Sequence, residues 1–204
     1  LTVGLPRGLT AATGMDALTH NLEAYLAKNF HPICDGIALE GIKLVSNNLR
    51  RVVEDGTDLE ARGNMLVAAM MGAIAFQKGL GVTHSLAHPL STVSGLHHGL
   101  ANAIMLPHAM VFNSQVSVDQ LVDVASALGV ETAGLSPEEG AQAAINQVSL
   151  LCQDIGIPTN LSQVGVQADK IPVLAEQAMQ DICHQLNPRV CTLQDMIDIY
   201  SAAI

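Results

Sequence analysis

Apolar residues recur along this chain at three- and four-residue spacing rather than at alternate positions, which predicts helices from end to end. Ala17, Leu18, Leu22, Tyr25 and Leu26 share one face of a helix over about 13–27. Pro32 suits the first turn of a second helix, striped by Ile37, Leu39, Ile42, Leu44, Val45, Leu49 and Val52 and ended by Asp55-Gly56. Thr57 and Glu60 have capping-box spacing, the hydroxyl accepting from the third amide while the carboxylate reaches back, and predict a third helix over 57–77. Gly79 and Gly81 break the pattern. A shorter helix is expected from near His84, then one over 100–112 in which Pro107 predicts a bend or boundary. Ser136-Pro137-Glu138-Glu139 repeats the box with proline at the first helical position and opens a helix that Gly156 stops. Helices over 170–182 and 192–203 complete the series, the last opened by a box-like Thr192 and Asp195. Segments 79–83, 94–98, 129–136 and 158–168 read as loops. No useful run alternates β-branched and polar residues, so the expected fold class is all-α, a compact domain of eight or nine helices.

The chain has 204 residues, 49% of them hydrophobic and 14% charged, enough for one ordinary globular domain with a real core. Nine basic against 19 acidic residues give a formal charge of -10, and there are no Trp, two Tyr and three Phe. Neither a cationic surface for phosphates nor a stacking platform for bases is on offer, so no nucleic-acid partner is expected. Mean hydropathy is high at +0.33. The longest apolar stretch, 65–76, is nonetheless far short of the roughly 20 residues that span a bilayer, and a soluble protein with no membrane partner is expected. No basic-then-apolar leader opens the chain, and Cys34, Cys152, Cys183 and Cys191 form no CxxC pair; a cytoplasmic setting with reduced thiols is the expectation. With Leu1 at the start, in what reads as a loop, a fragment or a processed product is the expectation.

Chemistry concentrates in the histidines. His84, His88, His97 and His98 lie in one short stretch, with His108 following. His84 and His88 are four apart, as are Asp16 and His20, so each pair projects from one helix face about a turn apart. A carboxylate and imidazoles so placed suit one borderline divalent ion such as Fe(II) or Zn(II), with a loop histidine, His97 or His98, closing the site. Against this stands the plain alternative that each histidine is a satisfied core residue.

Longer motifs carry a resemblance. The run from Gly8 through Asp16 and His20 to Tyr25, the segment Gly79-Leu80-Gly81-Val82-Thr83-His84-Ser85-Leu86-Ala87-His88-Pro89-Leu90, and His98-Gly99-Leu100-Ala101-Asn102-Ala103 with Leu106-Pro107-His108 resemble the helical C-terminal half of the iron-containing (group III) alcohol dehydrogenases, within the dehydroquinate synthase-like fold. Gly156-Ile157-Pro158-Thr159 and Asn187-Pro188-Arg189 match further family features, and the likeness covers nearly the whole chain. The resemblance implies that Asp16, His20, His84 and His98 bind the metal, and that His88 is the further histidine beside the nicotinamide, catalytic and cofactor-contacting. Where the family commonly has proline before the last ligand, this chain has His97. Cys183 resembles a pocket-lining cysteine of relatives, while by residue type alone it reads as a small buried apolar side chain.

By the same resemblance, residues 1–204 are the C-terminal metal-binding domain of a two-domain enzyme. No GxGxxG follows a strand here, so the N-terminal domain that binds NAD or NADP is expected outside this chain. The implied function is NAD(P)-linked hydride transfer between a small primary alcohol and its aldehyde, with Lewis-acid help from the metal. The missing cofactor domain and a homo-oligomer are the implied partners, the fragment alone is expected to be inactive, and an apolar patch is expected where the cofactor domain docks. Three rival readings are weighed. A helical metal phosphohydrolase would need an adjacent His-Asp dyad, and none occurs. A zinc polyol enzyme resembling glycerol dehydrogenase would use fewer histidines, and a non-catalytic helical module would use its histidines structurally.

Overall fold

Nine α-helices and four short 3-10 turns, with no strand, make up the computed structural model, which describes residues 1–204. The helices are α1 (Arg7–Leu26), α2 (Pro32–Glu54), α3 (Leu59–Ala75), α4 (Val82–Ser94), α5 (His98–Asn113), α6 (Val118–Ala127), α7 (Pro137–Asp154), α8 (Ile171–Gln180) and α9 (Leu193–Ala202). The all-α expectation holds, and α6 is a helix beyond the eight segments that the spacing predicts. Its spacing, Val118, Leu121, Val124 and Ala125, is amphipathic, and Leu121, Val124 and Ala125 are buried against the rest.

Helix α1 is the axis of the domain, packed against α2, α3 and α5. Burial on nearly every side explains why it lacks a single apolar stripe: small residues, Thr10, Ala11, Ala12 and Gly14, let neighbours approach closely. Those small residues also carry the helix back to Arg7, about two turns before the expected start. Core side chains from five helices, Met15, Leu18, Leu22, Ile42, Leu49, Leu86, Leu90, Met105, Leu106 and Tyr200, are almost wholly shielded from water. Tyr200 donates its hydroxyl to the Leu86 carbonyl at 2.6 Å and so ties α9 to α4.

Two further corrections concern helix ends. The Thr57–Glu60 box does not form. Thr57 instead donates its hydroxyl to Asp55 at 2.6 Å, and the stronger acceptor Asp58 caps α3 through the Ala61 amide at 2.9 Å. Pro107 does not bound α5, which runs through it. The Ala103 carbonyl, which a proline at 107 cannot serve, meets the Cys152 thiol at 3.6 Å. The boxes at Ser136–Glu139 and Thr192–Asp195 form as read.

No single helix is long and apolar enough to cross a membrane; α3 with the turn after it and α4 pass together on composition but meet at 110°. Helix α3 leaves Leu66, Val67, Met70, Ile74 and, just beyond it, Phe76 exposed. All four cysteines are free thiols.

Candidate metal centre

Three helices each deliver a pair of polar side chains at four-residue spacing to one place: Asp16 and His20 from α1, His84 and His88 from α4, His98 and Asn102 from α5. Their approach depends on glycine. A Cβ on Gly99 would lie 2.4 Å from the Ala12 carbonyl oxygen, so only glycine lets the first turn of α5 press against α1. That turn contains His98, which is helical and not the loop residue expected; Gly95, at φ 68°, has already ended α4 and turned the chain.

Asp16 is the hub. Its Oδ2 lies 3.9 Å from His20 Nδ1, and its Oδ1 lies 4.0 Å from His84 Nε2 and 3.4 Å from His98 Nε2. The donor atoms of Asp16, His20 and His84 all fall within 4.8 Å of one another. His98 joins through Asp16 and Asn102: the Asn102 amide donates to Asp16 Oδ1 at 2.6 Å and meets His98 Nε2 at 3.0 Å. With the amide as donor, His98 Nε2 carries the lone pair. The rings of His20 and His84 stack at 4.7 Å, and those of His88 and His98 at 5.3 Å. His97, by contrast, is exposed and only precedes α5.

The atom that tests the fit to a cation is His84 Nε2, which is buried and has no hydrogen-bond partner in the protein. Its other nitrogen meets Glu23 Oε2 at 2.7 Å, and both side chains are 2% exposed. Glu23 sits one turn beyond His20 on α1 and also accepts the Gly81 amide at 3.0 Å and the Thr83 amide at 2.6 Å. A Cβ on Gly81 would fall 2.9 Å from Glu23 Oε1, so glycine here admits the carboxylate to the start of α4. Burial opposes the charge of Glu23, but the bond to His84 and the two amides outweigh it and hold its pKa below the ordinary value. An ionised Glu23 keeps a proton on His84 Nδ1 and the lone pair on Nε2, the arrangement common to histidines that ligate metals. Burial, with the nearby His84, lowers the pKa of His20; burial also lowers that of His98, leaving both rings neutral. Burial opposes charge on His84, but the bond to Glu23 and the nearby Asp16 outweigh it and raise its pKa, so a cation would compete with a proton for Nε2. One carboxylate and three imidazoles form a donor set suited to a borderline divalent ion.

Beside this set, at its mouth, His88 is 41% exposed and pairs through Nδ1 with Asp181 Oδ2 at 2.7 Å. Cys183 is half-buried next to Asp181 and does not belong to the core. Reading the spacing alone missed Glu23, Asn102 and Asp181. Glu23 had a visible signal, a carboxylate seven residues, or two helical turns, after Asp16, and Asn102 repeats the four-residue step from His98. Asp181 lies 93 residues from His88 and had none.

Fold and site together define an all-α domain whose centre is built like a divalent-metal site. Residues 10–204 match the Fe-containing alcohol dehydrogenase family, C-terminal domain, and the chain belongs to that family. It is 40% identical to the NAD-dependent methanol dehydrogenase of Bacillus methanolicus over all of this chain and 54% of that protein. It is likewise 40% identical to the 1,3-propanediol dehydrogenase of Citrobacter freundii, over 53% of that protein. The crystal structure of a 1,3-propanediol oxidoreductase superposes with a TM-score of 0.97 at 39% identity, covering 99% of this chain and 53% of the other. The chain thus spans about half the length of the curated relatives it matches.

Proposed function

We propose that residues 1–204 form the metal-holding part of an NAD(P)-linked alcohol dehydrogenase, acting on a small primary alcohol or its aldehyde, with the dinucleotide bound by a domain outside this chain. The length of the relatives and their names, an NAD-dependent methanol dehydrogenase among them, support this reading. Asp16, His20, His84 and His98 would hold the ion, Fe(II) by family and Zn(II) by the same donor chemistry. Such an ion supplies Lewis acidity that eases loss of the hydroxyl proton from an alcohol. The chain's residues do the rest. Glu23 fixes the tautomer of His84, the Asn102 amide orients Asp16 and His98, which would hold the ion, and His88 stands at the mouth with Nε2 available to accept a proton. Free thiols at all four cysteines are compatible with a reducing, cytoplasmic setting.

The observation that carries the proposal is the buried, unpartnered Nε2 of His84, because leaving such an atom without a partner costs about 1–3 kcal/mol. Elemental analysis after loading with Fe(II) or Zn(II) should find about one ion per chain, little in His84→Ala and an undiminished amount in His97→Ala. Equal metal in His84→Ala and the unmodified chain would refute the assignment.

A further inference from the structure

A second group of ligand-type side chains lies next to the metal centre: His88, Asp181 and Cys183, with donor atoms within 4.8 Å of one another. Its hydrogen bonds decide what it is. Asp181 Oδ1 accepts the Ser85 hydroxyl and the Cys183 amide, both at 2.8 Å, while Oδ2 faces His88 Nδ1 at 2.7 Å. Ser85, wholly buried on α4, in turn accepts the His184 amide at 2.8 Å, so its hydroxyl clamps the segment after α8 onto α4. The carboxylate therefore already has three donors, and His88 Nδ1 is spent on it. Burial and then the adjacent Asp181 push the Cys183 thiol well above its ordinary pKa, so it stays protonated. Groups so satisfied are a poor cage for a cation and a good mount for one ring.

We infer that Asp181 is a positioning residue for His88: it holds the proton on Nδ1 and the ring in one orientation, so that Nε2 presents a lone pair at the mouth of the metal centre. The role in turnover rests on the dehydrogenase reading above; the tautomer does not. Two donors are anchored on Oδ1, so an Asn at 181 must keep its carbonyl oxygen there. Its amide nitrogen then takes the place of Oδ2 and donates to His88 Nδ1. The ring proton moves to Nε2, and the lone pair is withdrawn from the site while shape and packing are preserved. Neutral replacement of the carboxylate in an Asp–His pair acts through this wrong-tautomer effect.

The test reads the tautomer directly, by 15N–1H correlation of the imidazoles in the full chain, labelled with 15N histidine, loaded with Zn(II) and held at a pH where the ring is neutral. His88→Phe identifies the signal by removing it. The unmodified protein should carry the proton on Nδ1 and Asp181→Asn on Nε2, with metal content unchanged. A proton on Nε2 in the unmodified protein, or on Nδ1 in Asp181→Asn, overturns the inference; the first result decides even if the variant does not fold. A second equivalent of Zn(II) that is lost in Cys183→Ser overturns it in favour of a metal site. In the full-length enzyme, Asp181→Asn should lower kcat by roughly 100-fold, with KM for the alcohol little changed. A switched tautomer with unchanged turnover supports the positioning and removes His88 from the chemistry, which separates the two claims.

Discussion

Replacing Glu23 by Gln changes one oxygen for one nitrogen in a buried site where three donors converge, and its effect follows from which donors remain served. Oε2 accepts from Gly81 and His84 Nδ1, and Oε1 from Thr83. If the Gln oxygen takes the Oε2 position, its amide opposes the Thr83 N–H, whose acceptor now sits at 2.6 Å. If the oxygen takes the Oε1 position, the amide opposes the Gly81 N–H and donates to His84 Nδ1, which drives the His84 proton onto Nε2. Either way one buried N–H at the start of α4 is left unpaired, at about 1–3 kcal/mol, and the surviving bonds lose their charge assistance. The sum is about 2–4 kcal/mol of stability. The second arrangement also masks the metal-facing nitrogen, and loss of such a supporting partner typically weakens metal binding about 10- to 100-fold. Urea unfolding of the metal-free protein should show a lower midpoint with an unchanged slope. Titration with Zn(II) against a competing chelator should show the weaker affinity. An unchanged midpoint together with unchanged affinity would refute the claim that Glu23 both caps α4 and sets the tautomer of His84.

Two further outcomes concern stability. Lys78 is 4% exposed and pairs with Asp35 and with the Tyr25 carbonyl; removing Asp35 by alanine strands a buried ammonium and should cost about 2–4 kcal/mol, whereas Lys78→Met should cost less, since Asp35 reaches solvent. Chemical denaturation ranks the two, and the opposite order would show that the pair is not what holds this corner. Asp58 caps α3 with a pKa lowered by the Ala61 amide, so its contribution is present above its ordinary 3.8 and is lost as pH falls through the lower folded value. Asp58→Ala should therefore lower the midpoint at neutral pH, and the gap should close in acid; a gap independent of pH would remove the charge from the cap.

The helices were legible where one side of each faces solvent. Helices α2 and α7 announce themselves by stripe and cap because only part of their surface is covered. Helix α1 hid its first two turns for another reason: exposed Gly8, Leu9 and Thr13 and buried Thr10, Ala11 and Ala12 are mostly small and differ little in polarity, so no polar–apolar period is there to read. The failed box at Thr57 shows a different limit, since the motif was present and Asp55 accepted both the hydroxyl and the amide of Thr57. Pro107 sits inside α5 instead of bounding it, and a thiol from a helix some 50 residues away in sequence meets the carbonyl that proline leaves free.

The same division runs through the site. Asp16, His20, His84 and His98, singled out by spacing and resemblance, come together in the structure, as side chains that converge on one point from helices keep the helical period. The residues that prepare them obey no such rule. Glu23 serves His84 across 61 positions and Asp181 serves His88 across 93, each through a carboxylate that also caps or clamps backbone amides. This double use has a physical reason. A carboxylate buried beside a histidine must keep its charge without water, and several N–H donors from rigid backbone are the cheapest way to hold it ionised. The start of α4 offers such amides at Gly81 and Thr83, the turn after α8 offers one at Cys183, and both lie next to the rings that need orienting. Tautomer control in this domain is thus built from helix ends and turns, so that the folding of α4 and the readiness of His84 and His88 depend on the same few hydrogen bonds.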